Sequence, residues 1–375
     1  MLGPTRSLYA IRPGAPLPLL LAALATALMF GATPFLLPAI AERYGVTEGF
    51  AASISIAQVG VFAVATLVLP RLVAPSGRVL QGAAVVLVVA NLTSTFLSSF
   101  LLLILVRGVA GGAAGVLTWI MWLDAMSSPR SLASISAIGP LIALIGAPVL
   151  AAIAQFGDRA VYLTLAVVAV PAAAAKLRTS LGKPGKRVVS RSRSNLVLLG
   201  ALFLLALSGA SLFVFAAVAA RELLAISPVA ASWGFSLNAA GGLLGARLAN
   251  RHRRPGWWLA SAGPAAFLTI GGGTPVLFFF GMTWWGFAWW MGIPGVLQMM
   301  AERSLAPGER AGDAQGMMAI GRAIAPAIGG GFADAAAYVG LAAVAGIGLT
   351  VAGAIVMGVQ EGREHLPPTV QSAPT

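Results

Sequence analysis

The stretch Val106-Arg107-Gly108-Val109-Ala110-Gly111-Gly112-Ala113-Ala114-Gly115 lies inside an apolar run from about Phe100 to Trp122. A guanidinium keeps its proton at any accessible pH. Placing one in hydrocarbon costs between about 2.5 and more than 10 kcal/mol, depending on snorkelling and water defects. A chain that holds Arg107 there must pair it, hydrate it in a cavity or use it on a ligand. Gly111 and Gly115 are one helical turn apart, so a second helix can approach closely on that face. The combination predicts a polar pathway through a bundle of membrane helices.

The rest of the chain has the same character. Of its 375 residues, 58% are hydrophobic and 9% charged, whereas about 25% of a soluble domain is charged. There is no cysteine, which excludes disulfides, thiolate ligands and cysteine nucleophiles. His252 and His365 both sit in hydrophilic segments, so no imidazole is placed to relay protons or hold a metal within a span. Met282, Met291, Met299, Met300, Met317 and Met318 then read as packing residues and not as a soft-metal path. No phosphate-binding glycine loop and no paired Asp, Ser/His or His/Glu constellation lies in the apolar runs. Neither a catalytic centre nor a cofactor or metal is expected.

Crossing a bilayer takes about 20 apolar residues. Twelve stretches qualify, roughly 17–40, 49–69, 79–97, 99–122, 131–155, 160–175, 195–219, 227–247, 256–272, 275–299, 314–335 and 338–358. The first follows Arg6 and Arg12 and exceeds a secretory h-region of ~7–15 residues, so it reads as a membrane helix and not a cleaved signal. The net charge of +13 is spread over short loops, which is topology information and argues against nucleic acid as partner. Alternating the loops from a cytoplasmic N-terminus puts 19 lysines and arginines inside and three outside (Arg43, Arg159 and Arg221), with Arg107 and Arg322 in spans. Both termini are therefore expected in the cytoplasm, as in a multi-pass protein of a bacterial inner membrane.

The chain divides into residues 1–175 and 195–359, each a six-helix bundle, joined by a basic linker at 176–194 and followed by a tail at 360–375. The linker (Lys176, Arg178, Lys183, Lys186, Arg187, Arg191, Arg193) is a positive-inside anchor first and an anionic-lipid contact second. The halves repeat. Pro70-Arg71-Leu72-Val73-Ala74-Pro75-Ser76-Gly77-Arg78 returns as Ala246-Arg247-Leu248-Ala249-Asn250-Arg251-His252-Arg253-Arg254, and Ala147-Pro148-Val149-Leu150-Ala151-Ala152 as Ala325-Pro326-Ala327-Ile328-Gly329-Gly330. The offsets are 176 and 178 residues. Six plus six helices with duplicated motifs is the parallel-repeat plan of alternating-access transporters.

At these residues the sequence resembles the major facilitator superfamily over essentially its whole length. The family's loop after the second helix reads Gly-x-Leu-Ala-Asp-Arg-x-Gly-Arg-Arg. Leu72, Gly77 and Arg78 match it, while Pro70, Ala74 and Pro75 stand where Gly, Asp and Arg would be. The second copy matches at Leu248, Ala249, Arg251 and Arg254, with Asn250 in the Asp position. The fourth-helix pattern Arg-x-x-x-Gly-x-x-Ala fits Arg107, Gly111 and Ala114. The fifth-helix antiporter motif survives as Ala147-Pro148 and Ala151-Ala152. The resemblance implies two six-helix bundles rocking about a central cavity. Arg71, Gly77, Arg78, Asn250, Arg251, Pro148 and Pro326 would be gating residues, and the Arg107 position is one associated with proton coupling.

Candidates for contact with a solute are Arg107, Arg322, Gln58, Asn238, Trp119, Trp285, Trp289 and Gln298. All eleven acidic residues fall in loops, tails or span ends. Two intramembrane cations without a carboxylate at their depth attract an anion. The structural alternative for Arg107 is hydrogen bonding within its own half, and for Arg322 snorkelling to the cytoplasmic face. Gln58 and Asn238 lie at matching depth in the second and eighth spans, where interhelical hydrogen bonding is the alternative to ligand contact. Trp284, Trp285, Trp289 and Trp290 form a broad aromatic stripe, suited to a flat or apolar solute or to packing.

The sequence thus predicts an all-α membrane protein that acts as a monomeric secondary transporter. It would move a small organic solute, an organic anion first, by rocking-bundle alternating access. Proton-coupled efflux of amphipathic drug-like compounds is the alternative. A transporter-like sensor or scaffold is a third reading.

Overall fold

The computed structural model describes residues 14–125, 129–177, 192–249, 254–303 and 311–361. Most of the linker and tail expected from the sequence lies outside them, as do Asn250 and Arg251. The described residues are helical almost throughout, because backbone in hydrocarbon must satisfy its own hydrogen bonds. In chain order the helices are α1 (Leu17–Gly31), α2 (Thr33–Tyr44), the single turn α3 (Glu48–Ala51), α4 (Ser53–Leu72), α5 (Gly77–Phe96), α6 (Phe100–Ala125), α7 (Pro129–Ala154) and α8 (Asp158–Ala174). Then come α9 (Arg193–Phe213), α10 (Ala216–Leu224), α11 (Pro228–Leu248), α12 (Pro255–Gly271), α13 (Pro275–Glu302), α14 (Ala311–Asp334) and α15 (Tyr338–Glu361).

Helix starts follow local chemistry. Ser76, Ser192 and Ser227 each accept a hydrogen bond from the N–H three residues on, at 3.3, 3.1 and 3.2 Å, and so satisfy one orphan donor. Three of the stretches expected as continuous spans are interrupted, the second of them at Ala52 between α3 and α4. The first bends by 52° between α1 and α2, where Pro34 near the start of α2 supplies no N–H to continue the ladder. The seventh breaks at Val214 and Phe215, between α9 and α10.

Among the described residues, six helices are long and apolar enough to cross a membrane by length and composition, and seven if α1 and α2 form one bent span. The protein is a multi-pass membrane protein. Among the remaining stretches, α8 and α12 have 17 residues each, a length of about 25 Å against a hydrocarbon core of about 30 Å.

The helices fall into two compact units, one comprising Met1–Val46 and Ser53–Pro184, the other Thr47–Ala52 and Gly185–Thr375. Within the first, the principal packing partners are α4 with α6, α5 with α8, α5 with α6 and α1 with α7. Within the second they include α11 with α13, α12 with α15, α12 with α13 and α9 with α14. Allowing for the broken spans, these are the same four pairings. The repeat read from loops and prolines is also a repeat of packing.

Glycine makes the tightest of these contacts. A Cβ on Gly111 of α6 would strike the backbone carbonyl of Gln58 in α4, and one on Gly286 of α13 the carbonyl of Asn238 in α11. Only hydrogen fits at either place, so these helices meet backbone to backbone. The core of the first unit is built around the α6 face through Ala110, Ala113, Ala114, Leu117 and Ile120, packed on Leu80, Ala84 and Leu87 of α5 and on Leu19 and Ala22 of α1.

Candidate functional site

The glycine face of α6 determines what Arg107 can reach. One turn before Gly111, the guanidinium is delivered to the α4–α6 seam, and Arg107 is only 1% exposed. Its Nε and Nη2 both donate to Gln58 Oε1, at 3.0 and 2.6 Å, and Nη1 donates to Asn91 Oδ1 on α5 at 2.7 Å. The ring of Tyr162, from α8, lies under the guanidinium with its centroid 5.1 Å from Cζ. Two amide oxygens and a π face stabilise the cation without neutralising it. None of these partners titrates near neutral pH. The cluster holds one charge and carries no group able to exchange a proton. Asn91 completes it from the preceding helix and Tyr162 from α8, and the hydroxyl of Tyr162 has no hydrogen-bond partner among the described residues.

One turn before Tyr162, Asp158 opens α8. It is committed to Arg43 of α2 at 2.8 Å, with the carboxylate side chain 3% exposed. Arg43 also donates to the carbonyls of Thr95, in the last turn of α5, and Leu97, just beyond it, and Tyr44 Oη donates to the Leu97 carbonyl at 2.8 Å. Arg43 thus joins the end of α2, the exit of α5 and the start of α8. No acidic residue among the described ones pairs with Arg107.

The second unit repeats this frame with different chemistry. Phe332-Ala333-Asp334-Ala335-Ala336-Ala337-Tyr338 repeats Phe156-Gly157-Asp158-Arg159-Ala160-Val161-Tyr162 at an offset of 176 residues. The left-handed residue closing α2, Gly45, returns as Ala225 closing α10, with φ of 64° and 52°. Asn238, the counterpart of Gln58, donates from Nδ2 to the Met282 carbonyl at 2.9 Å. By the spacing of Gly111 and Gly286, Met282 is the counterpart of Arg107. A neutral helix–helix hydrogen bond stands there in place of the cationic cluster.

Arg322 differs from Arg107 in both exposure and partners. Its neighbour Gly321 is pressed on α9, where a Cβ would lie 2.6 Å from the Phe203 carbonyl. The next residue is turned about 100° from that contact. Arg322 is accordingly exposed, and no described residue pairs or hydrogen-bonds with it.

The other candidates are placed as follows. Trp285 is buried and meets Phe213 edge-on, with centroids 5.6 Å apart. Trp289 packs over Gly209 and Trp290 over Gly242. Trp119 lies partly buried against the core of the first unit. Gln298 is exposed near the end of α13, where its Nε2 donates to Glu302 at 3.1 Å. Of the expected gating residues, Arg78 is exposed, Pro148 half-buried within α7 and Pro326 buried within α14. A Cβ on Gly77, at the start of α5, would lie 2.6 Å from the Leu177 carbonyl. The side chain of Arg71, like Asn250 and Arg251, is outside what the structure describes.

By sequence the chain matches no protein-family profile and no curated protein. Its fold matches many solved chains. One is a bacterial homolog of the human lysosomal transporter Spinster, in an inward-facing and occupied conformation, at 13% identity and TM-score 0.69 over 98% of this chain and 100% of that one. A second is the nucleoside transporter NupG, at 14% identity and TM-score 0.67 over 92% of this chain and 99% of that one. A third is the peptide transporter POT in complex with sulfate, at 12% identity and TM-score 0.71, covering 96% and 99%. These are transporters and not enzymes. What this chain shares with them, at full length, is the major facilitator fold that the motifs around Arg107, Gly77 and Pro148 anticipate.

Proposed function

We propose that this protein is a secondary transporter that moves a small organic anion through a bacterial inner membrane by rocking-bundle alternating access. In this reading all twelve apolar stretches span the bilayer, including the short and broken ones, and both termini lie in the cytoplasm. The segment around 176–194 links the bundles, and the chain acts as a monomer.

The observation that carries the anion assignment is Arg322, the one charged side chain in the apolar stretch of α14 from Met317 to Ile328, exposed and without a partner among the described residues. Such a cation is costly at membrane depth unless water or a ligand compensates it. Arg107 is satisfied by Gln58 and Asn91, which supports a structural place for it and leaves Arg322 as the residue assigned to the solute. Arg107 then adds fixed positive potential from within its bundle. Trp285 and Trp289 are taken up in packing against Phe213 and Gly209, which favours the anion over an amphipathic drug as cargo.

The test is flux into proteoliposomes of a panel of labelled mono- and dicarboxylates, at constant pH, with and without an internal counter-anion. The expected result is counter-anion stimulation that Arg322→Gln reduces by about tenfold or more, as for loss of a charge-assisted contact. Flux untouched by Arg322→Gln overturns the assignment. Flux that collapses with the pH gradient and ignores counter-anions supports proton-coupled efflux instead.

A further inference from the structure

The turn α3 sits between α2 and α4, which belong to the first unit, yet Thr47–Ala52 belongs to the second. Three contacts hold it there. Glu48 Oε1 accepts from Arg221 Nη2 at 2.9 Å. The Gly49 N–H donates to Asp334 Oδ1 at 3.0 Å. Gly49 also lies on Gly330 of α14, where a Cβ would come within 2.9 Å of the Gly49 carbonyl. Thr47 caps the turn by accepting from the Phe50 N–H at 3.1 Å, and Ala51 and Ala52 are fully buried.

The repeat supplies the comparison that gives these contacts meaning. Asp334 corresponds to Asp158, and Arg221 closes α10 as Arg43 closes α2. In the first unit, Arg43 and Asp158 pair with each other at 2.8 Å. In the second, Arg221 bonds Glu48 and Glu222 instead, at 2.9 and 2.7 Å, and Asp334 receives Gly49. Tyr338 stands within electrostatic reach of Glu48, Glu222, Arg221 and Asp334 together, just as Tyr162 does of Arg43 and Asp158. The elements of an Arg–Asp pair are therefore present at one end of the second unit, and the turn occupies both partners.

We infer that residues Thr47–Ala52 form a detachable latch with partner exchange. When latched, Arg221 holds Glu48 and Asp334 holds the Gly49 N–H. When the turn leaves, Arg221, still bonded to Glu222, also pairs with Asp334 as Arg43 does with Asp158, so release leaves no bare carboxylate behind on the second unit. The inference rests on the alternating-access reading for its purpose. Its readout is thiol reactivity and not flux, so failure of the latch and failure of the anion reading are separate results.

The full chain has no cysteine, so single reporters need no background removal. Ala51→Cys, buried when latched, is introduced into the protein in lipid vesicles, and its rate of labelling by a membrane-impermeant maleimide is measured. Adding Glu48→Gln weakens the latch and speeds labelling by roughly three- to tenfold, the range for a partly exposed ion pair. Adding Asp334→Asn keeps an oxygen for the Gly49 N–H but removes the charge that Arg221 moves to, and so slows labelling. Opposite signs establish the exchange. Equal rates, or acceleration by both variants as ordinary destabilisation would give, overturn it.

Gly49→Cys with Asp334→Cys serves as an independent check on the latched geometry. A Cβ at Gly49 lies 2.5 Å from Asp334 Cγ, which brings the two Cβ atoms within about 4 Å, in the disulfide range. Mild oxidation is expected to consume both thiols, counted by mass spectrometry. Two free thiols after oxidation overturn the latched state itself.

Discussion

Arg107 and Gln58 are joined by two hydrogen bonds to one oxygen, Nε and Nη2 both reaching Oε1 at 3.0 and 2.6 Å. A single amide thus carries most of the hydrogen bonding of a buried charge, and only Asn91 assists it. Gln58→Leu removes that acceptor and leaves the cation short of partners. The expected loss is about 3 kcal/mol, the range for uncovering one side of a buried charged interaction. A thermal melt in detergent checks it, with Gln58→Glu expected to remain folded because it restores both acceptor and charge.

Gly111 and Gly286 predict a matched pair of defects. Gly111→Ala and Gly286→Ala each force a methyl into a backbone carbonyl, of Gln58 or of Asn238, and should each destabilise by about 1–3 kcal/mol. Gly60, also in a helix, has nothing within 4 Å of its would-be Cβ. Gly60→Ala should be neutral or stabilising by up to about 1 kcal/mol. Equal melting behaviour of all three would contradict the close approach.

Breaking the Arg43–Asp158 pair should cost more than breaking Arg221–Glu48. In the first pair the side chains are 14% and 3% exposed, in the second 37% and 19%. Asp158→Ala strands Arg43 and should cost about 3 kcal/mol, whereas Glu48→Ala should cost about 1 kcal/mol or less. Raising salt should narrow the stability difference between Glu48→Ala and the parent, and leave that of Asp158→Ala nearly unchanged.

Arg322→Gln is expected to leave stability within about 0.5 kcal/mol of the parent, because it breaks no internal hydrogen bond. Arg107→Gln is expected to lower stability by several times as much. If both lower the melting temperature equally, Arg322 has a structural partner and its assignment to a solute fails.

The helices and their repeat were legible in the sequence because both rest on local signals: runs of apolar residues, and the Pro, Gly and Arg that punctuate them. The partners of Arg107 were not. Helices that are apolar on nearly every side carry no face signal, so nothing in α4, α5 and α8 says that Gln58, Asn91 and Tyr162 turn toward one point. Hydrogen bonding within its own half is legible as an alternative for Arg107, but nothing local singles out which polar residues provide it. The Asp158 and Asp334 repeat was visible in principle, as Phe-x-Asp-x-x-x-Tyr at an offset of 176 residues, but span ends read as loop edges hide such motifs. That Trp289 covers Gly209 and Trp290 covers Gly242 depends on large-to-small matches between distant helices, which no single stretch displays. Nor does the residue order suggest that Thr47–Ala52 groups with the other half.

The neutral surroundings of Arg107 have an electrical consequence. Its guanidinium stays charged, and neither Gln58 nor Asn91 can cancel that charge by giving up or taking a proton. The first bundle therefore carries a fixed elementary charge in its interior throughout any cycle. Moving such a charge across the full membrane field is worth about 2.3 kcal/mol per 100 mV, so even a tenth of that path contributes about 0.2 kcal/mol per 100 mV. A motion that shifts Arg107 along the membrane normal would couple the cycle to voltage, with a current whose size reports how far the arginine travels.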